Sequence, residues 1–346
     1  MSALRPLPYA HGEPLGRALL RASPEDFRVF EELPFSPTGA GEHLMLRVRK
    51  RGWNTDAVAG LLAQRFGVGR QAVSYAGLKD RWAVTEQWFS VHLPGTEAAL
   101  PALDEGVEIL QAARHDRKLR RGALSGNRFS LRLRAVESAA APLSARLGLI
   151  ARLGVPNYFG EQRFGRSGDN VSRARALLAG EFRTRNRNLR GILYSAARSE
   201  LFNRVLAARL AQRSWDRPLE GDVMMLDGRS ACFSGEPGDT ALARRMALMD
   251  IHPTGPLPGK GGLEPVGAAG ELEQQVLADE AELIAGLVRA GLDGARRALR
   301  LRVGGLRWHF PAPDQLQLDF SLPAGAYATA VVRELCAAYE EKPEPA

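Results

Sequence analysis

Tyr75-Ala76-Gly77-Leu78-Lys79-Asp80-Arg81-Trp82-Ala83-Val84-Thr85-Glu86-Gln87-Trp88-Phe89 reads as the end of one strand, a glycine turn and the start of another strand. The apolar run from Val73 to Ala76 enters the turn. Beyond it Trp88, Ser90 and His92 fall on one face, and Phe89, Val91 and Leu93 on the other. The turn presents one carboxylate, Asp80, between two cations, Lys79 and Arg81. An opposite charge nearby favours the ionised carboxylate. Held on a loop between strands, such a group can act as a nucleophile, as glycosidases use one at an anomeric carbon. An Asp in a glycine turn is most often an ordinary solvated turn residue, and the stretch alone favours that reading without excluding catalysis.

Upstream, His43 to Arg49 alternates, with Leu44, Leu46 and Val48 expected inward and Met45, Arg47 and Arg49 outward. Asn54 or Thr55 is placed to cap a helix whose Val58, Leu61, Leu62 and Phe66 form one apolar stripe, ended by Gly67. Nearer the start, Pro24 opens a turn into a strand on which Phe27, Val29 and Glu31 share a face. Downstream, His115 to Gly122 lacks apolar periodicity and reads as a loop. Asn127 to Ala135 is a strand with Phe129, Leu131 and Leu133 on one side.

The chain has 346 residues and a net charge of +8, a length that suits two domains. Between Gln111 and Arg134 eight Lys and Arg stand against a single acid, Asp116. Arg183 to Asn188 is a second basic run with no acid. Charge so concentrated suits a nucleic-acid binder, and equally a solvated face on an enzyme of acidic metabolites. No apolar run is long enough to span a bilayer, and Met1 to Ala10 lacks the features of an export signal. Cys232 and Cys336 are isolated and the six histidines scattered, which predicts a reduced cytoplasm and no metal. Nothing resembles a dedicated dimer seam, so a monomer is expected.

Further along, Ala139 to Leu153 reads as a helix, and a long helix follows the second basic run. Val223 to Phe233 reads as a hairpin, His252 to Gly262 as a long loop, and Glu271 to Leu299 as largely helical. Gln315 to Leu322 alternates again. A helix through Val331, Val332 and Leu335 follows, with Tyr327 in its first turn, and Glu340 to Ala346 is expected to be a frayed tail. There are no internal repeats.

Gly77 to Trp88 resembles the signature of the tRNA pseudouridine synthase D family, G-x-K-D-(K/R)-x-A-V-T-x-Q. The likeness continues, in family order, in Pro24 to Phe27, Gly126 to Phe129, Pro156 to Gly165, Ala197 to Asn203 and Leu322 to Thr329. It implies an α+β fold: a pseudouridine-synthase-type mixed, mainly antiparallel sheet with flanking helices, plus an inserted α/β domain. Residues 1–152 and 304–346 would form the split catalytic domain and 153–303 the insertion. The implied activity is isomerisation of uridine to pseudouridine in tRNA, at position 13, with tRNA as partner and no cofactor.

By the same resemblance Asp80 is the nucleophile. Phe27, Asn127, Phe129 and Tyr327 contact the substrate, Tyr327 standing where the family commonly has Phe. Arg21 pairs with the nucleophile, and Lys79 supports it. Arg117, Lys118, Arg120, Arg121, Arg183, Arg185 and Arg187 suit contacts to RNA phosphates, which position without reading sequence. Two other classes of function fit parts of the pattern. One is a non-catalytic RNA-binding protein on the same fold. The other is a nucleoside or glycoside hydrolase, which would need a second carboxylate, the nearest being Glu86.

Overall fold

The computed structural model describes residues 6–95, 99–165, 167–236 and 239–341. The chain divides into two compact units. One comprises Pro14–Ala145, Val303–Ala328 and Leu335–Ala346; the other comprises Met1–Glu13, Arg146–Arg302 and Thr329–Glu334.

The first leg of the chain contains β1 (Arg17–Leu20), β2 (Phe27–Glu32), β3 (His43–Arg51), α1 (Thr55–Arg65), β4 (Val73–Tyr75), β5 (Val84–His92), β6 (Val107–His115), β7 (Gly126–Arg134) and α2 (Ala140–Leu153). The apolar stripe of α1 packs on β3 and β5, so that Leu46, Val48, Val58, Leu62 and Phe89 are all buried. Gly67 follows the helix with φ +65°, a conformation that costs glycine little. Asn54 is the N-cap but makes no capping bond through its side chain, and Thr55 spends its hydroxyl on Gln87 instead. Met45, expected outward, is buried on the opposite face with Ala76, Trp88 and Leu119. The sheet is covered there too, so alternation on β3 does not separate core from solvent.

The middle leg contains β8 (Val155–Pro156), α3 (Asn170–Ala179), α4 (Arg187–Ala211), β9 (Val223–Leu226), β10 (Cys232–Ser234), α5 (Thr240–Ala247), β11 (Ile251–Leu257), α6 (Gly267–Leu277), α7 (Ala281–Arg289), β12 (Ala295–Ala298) and β13 (Arg300–Leu301). Helices α3, α4, α6 and α7 share a core that includes Ala174, Leu193, Leu201, Val205, Leu272 and Leu287. A four-stranded sheet runs β10-β9-β11-β12. Two expectations fail here. The stretch taken for a long loop contains β11, and the helical run ends at Arg289, before β12. Prolines at 253 and 256 remove two ladder donors, but β11 pairs with β9 through Pro253 and with β12 from Thr254 onward. Neither neighbour therefore depends on an unbroken row of donors.

The return leg contains β14 (Gly304–Ala312), β15 (Gln315–Pro323), α8 (Ala328–Arg333) and β16 (Ala337–Tyr339). Tyr327 precedes α8 rather than lying in its first turn. β16 pairs in parallel with β1, and Glu340, expected in a frayed tail, bonds Arg21; 342–346 lie outside the described residues.

The sheet of the first unit has ten strands in the order β14-β15-β7-β2-β5-β3-β6, with β1, β16 and β4 off that path. Its pairs are antiparallel except β2 with β5 and β1 with β16. The register aligns Lys50, Thr85, Val29, Phe129 and Phe320 in one row across five strands. Side chains in register share a face, so this row is the floor over which the Asp80 turn lies. β1 and β2 pair end to end along one edge of β7, Leu20 opposite Leu133 and Phe27 opposite Leu131. The break between them holds Arg21 at φ +61°, a left-handed conformation that a non-glycine residue keeps only when its surroundings enforce it.

Candidate active site

The turn from Gly77 to Trp82 is braced along its length by side chains from three elements and by two of its own. Gln87 on β5 donates to the Gly77 carbonyl at 3.2 Å. The Lys79 amide donates to Thr55 Oγ1 at 2.9 Å, and that hydroxyl donates to Gln87 Oε1 at 2.9 Å. Lys50 on β3 donates through Nζ to the Asp80 carbonyl at 2.7 Å. Arg81 donates to the Gly52 carbonyl, and Trp82 Nε1 to the Arg21 carbonyl. A loop that would sample many conformations alone is thereby held in one, which fixes the Cα from which the Asp80 side chain projects.

The carboxylate itself is half exposed, at 52%. Arg21 Nη2 donates to its Oδ2 at 2.9 Å, and Arg21 Nη1 to Glu340 at 2.6 Å. The same guanidinium lies over the Phe27 ring, 4.0 Å from its centroid. Phe27 meets Phe129 edge to face at 6.4 Å, and Phe129 stacks on Phe320 at 5.4 Å. Asn127 is the register partner of Glu31 on β2 and lies two residues before Phe129; its Oδ1 is buried and has no hydrogen-bond partner. Asp80, Arg21, Phe27 and Phe129 are thus joined by direct contacts, with Asn127 on the same strand and face. Tyr327, half-buried, lies beyond the end of β15, where Leu322 pairs with Asn127.

Lys79 is a correction. It flanks Asp80 in sequence, but its ammonium is buried against Glu31 Oε2 at 2.5 Å, with the two side chains 6% and 0% exposed. Glu31 also accepts from the Trp88 amide at 3.1 Å. Lys79 therefore ties the turn to β2 rather than pairing with Asp80.

Sequence reasoning placed Glu31 on the Phe27 face but gave it no role, and missed Lys50, Thr55 and Gln87. Extending the alternation of Leu44, Leu46 and Val48 by one step would have put Lys50 on the buried face. Among the described residues no three His, Cys, Asp or Glu side chains gather as a metal ion would require.

The sequence profile of the family described as tRNA pseudouridine synthase D (TruD) matches residues 8–185 and 170–335. The chain belongs to that family. Proteins named tRNA pseudouridine synthase D are similar to it over nearly their whole length. That of Ectopseudomonas mendocina is 52% identical over 95% of this chain and 94% of the relative. That of Aeromonas salmonicida is 51% identical over 97% and 96%. A crystal structure from Methanosarcina mazei, of a candidate tRNA pseudouridine synthase D, superposes with TM-score 0.74 over 95% of each chain at 22% identity, a likeness of fold.

For a tRNA pseudouridine synthase D the surroundings of the site matter as much as its centre. The basic loop after β6 is pinned by Leu119, 2% exposed, whose amide and carbonyl bond Ser90 and Ser74. Its Gly122 amide bonds the Ala76 carbonyl, just ahead of the Asp80 turn. Arg117 is 84% exposed and Arg120 is exposed too, while Lys118 donates to the Gln71 carbonyl. Arg121 donates to the Tyr75 hydroxyl at 2.6 Å and lies over its ring. Arg183, Arg185 and Arg187 are exposed in the other unit, at the start of α4, where Asn186 caps the helix by accepting from the Leu189 amide.

Glu86 cannot serve as a second carboxylate beside Asp80. It follows Thr85 and so points to the opposite face of the sheet, where Arg47 and Arg49 bind it at 2.6 and 3.1 Å. Among the described residues no helix is long and apolar enough to cross a membrane.

Proposed function

We propose that Asp80 is the nucleophile with which this member of the tRNA pseudouridine synthase D family isomerises uridine to pseudouridine in tRNA, at position 13. One observation carries the assignment. Asp80 stands on a turn braced by Lys50, Thr55 and Gln87, its carboxylate paired with Arg21, which in turn covers Phe27 and through it reaches Phe129. The charge-assisted bond from Arg21 holds the carboxylate in place without burying it. Oδ1 has no hydrogen-bond partner among the described residues and is available to the substrate.

The reaction breaks N1–C1′ and forms C5–C1′ within one nucleotide. The C5 proton is released and N1 gains one, so no oxidant or outside group is consumed. The uridine is flipped from its stack. The edges of Phe27 and Phe129 hold the detached ring, with Tyr327 closing the pocket. The unpartnered Asn127 amide oxygen accepts from the uracil N3–H, a bond that keeps the base in place while it turns. Asp80 acts at the sugar, by attack on C1′ or by taking a sugar proton to give a glycal.

The catalytic domain, which carries the ten-stranded sheet, is drawn from residues 1–152 and 304–346, and the insertion from 153–303. The exposed cations of both contact tRNA phosphates, in a cytoplasmic enzyme whose two cysteines are free thiols. The hydrolase reading loses its support with Glu86 on the far face.

The test follows from the chemistry. tRNA carrying tritium at uridine C5 releases it when C5 bonds to C1′. Wild type is expected to release tritium and Asp80→Asn to release none while still binding tRNA. Release by the Asp80→Asn variant at the wild-type rate would falsify the assignment.

A further inference from the structure

Lys50 belongs to the row of side chains beneath the Asp80 turn, and it is fully buried, at 0% exposure. An ammonium is costly to desolvate, and an apolar side chain of similar volume fills such a place more cheaply. The hydrogen-bond partner of Lys50 among the described residues is the main-chain carbonyl of Asp80, 2.7 Å from Nζ. Its neighbours in the sheet are Thr85 on β5 and Val107 on β6, neither of them charged. The charges that face it belong to the turn. Asp80 attracts the ammonium and Lys79 repels it, the latter being already neutralised by Glu31. From α1 comes Thr55, uncharged and committed to the Lys79 amide and Gln87.

We propose that Lys50 is a positioning residue for the uridine isomerisation: its ammonium grips the carbonyl of Asp80, fixes the backbone there and so sets where the carboxylate stands. The inference rests on Asp80 being the nucleophile. A charged donor holds a carbonyl about twice as strongly as a neutral one, so the protonated form is the working form. Burial pushes the Lys50 ammonium down to about 8, with Asp80 opposing the fall and Lys79 adding to it. Activity should therefore decline on the alkaline side as this proton is lost.

Single-turnover rate and tRNA affinity are measured separately from roughly pH 6.5 to pH 9.5 for wild type, Lys50→Met, Lys50→Gln and Asp80→Asn. Wild type should lose rate with a midpoint near 8. Lys50→Met should bind tRNA as wild type does but react ~10²-fold more slowly, the loss expected when a reacting group shifts by about an ångström. It should also lack the alkaline decline. Lys50→Gln keeps a neutral donor and should recover part of the rate, again without that decline; it serves in place of Lys50→Met should that variant not fold.

A variant rate within about threefold of wild type, a loss seen only in tRNA affinity, or an alkaline decline that persists unchanged in the variants overturns the proposal. So does a flat wild-type profile. Asp80→Asn separates the two ideas. If it is inactive while Lys50→Met is active, the lysine alone is misassigned; if it is active, the nucleophile is.

Discussion

Asp80 is positioned mainly through its main chain, and its neighbours were legible to different degrees. Arg21 was read from resemblance as the partner of the nucleophile, and the guanidinium is found there; why it reaches was not legible. That depends on a break between β1 and β2 and on a left-handed residue, neither of which has a local signature at Arg21. Arg21→Ala should slow the reaction at least about tenfold with little change in tRNA affinity, and Arg21→Lys should restore part of the rate. Equal loss in both variants would show that the charge is not what matters.

Lys79 was misread because adjacency in sequence was taken for proximity of side chains, whereas Glu31 lies on the buried face and offers a better-matched partner. Glu31→Ala leaves a buried ammonium unpaired and should cost about 3–5 kcal/mol of stability, read from urea unfolding. An unchanged midpoint would mean that the pair contributes nothing. For Lys50 the sign is opposite. Its ordinary value of 10.5 falls to about 8 on folding, so between these values the unfolded chain holds the proton more tightly. Its contribution to stability therefore improves as pH rises through that window, while activity declines. The difference in unfolding midpoint between wild type and Lys50→Met should accordingly move in favour of wild type between pH 8 and pH 10.5. A change in the other direction would contradict the assigned shift.

Strands with clean alternation, β7 and β15, were readable because each has apolar side chains on one face and polar ones on the other. β11 was hidden by its prolines, and β16 by being a three-residue strand that exists only by pairing with β1. Such elements are dictated by partners far away in the chain, which no local window contains. The basic loop after β6 was read correctly as a loop, but its order was not legible. It comes from one apolar residue, Leu119, set among cations and bonded at both its amide and its carbonyl. Leu119→Ala should destabilise the loop by about 2–3 kcal/mol and weaken tRNA binding, with the rate at saturating tRNA retained. The exposed Arg117 and Arg120 should act on tRNA binding through their charge. Replacing either with Ala should reduce the slope of log affinity against log salt by about 1. A salt slope unchanged in both variants would remove the loop from the RNA contact.

Over the whole molecule, length and composition pointed to two domains and to an anionic partner, and the chain has two compact units and a net charge of +8. Neither fact specifies chemistry. On the proposed reading the chemistry belongs to the few side chains of the first unit that converge on the Asp80 turn, and resemblance named Arg21, Phe27, Asn127 and Phe129 among them before any geometry was known. What it did not show was how the turn is held, because the braces from Lys50, Thr55 and Gln87 are contacts between elements. The most direct measurement uses bulk tRNA from cells lacking this protein, incubated with wild type or with Asp80→Asn and mapped for pseudouridine at single-nucleotide resolution. A new pseudouridine at position 13 with wild type alone is the expected result. Binding of tRNA by both proteins with pseudouridine from neither would contradict it.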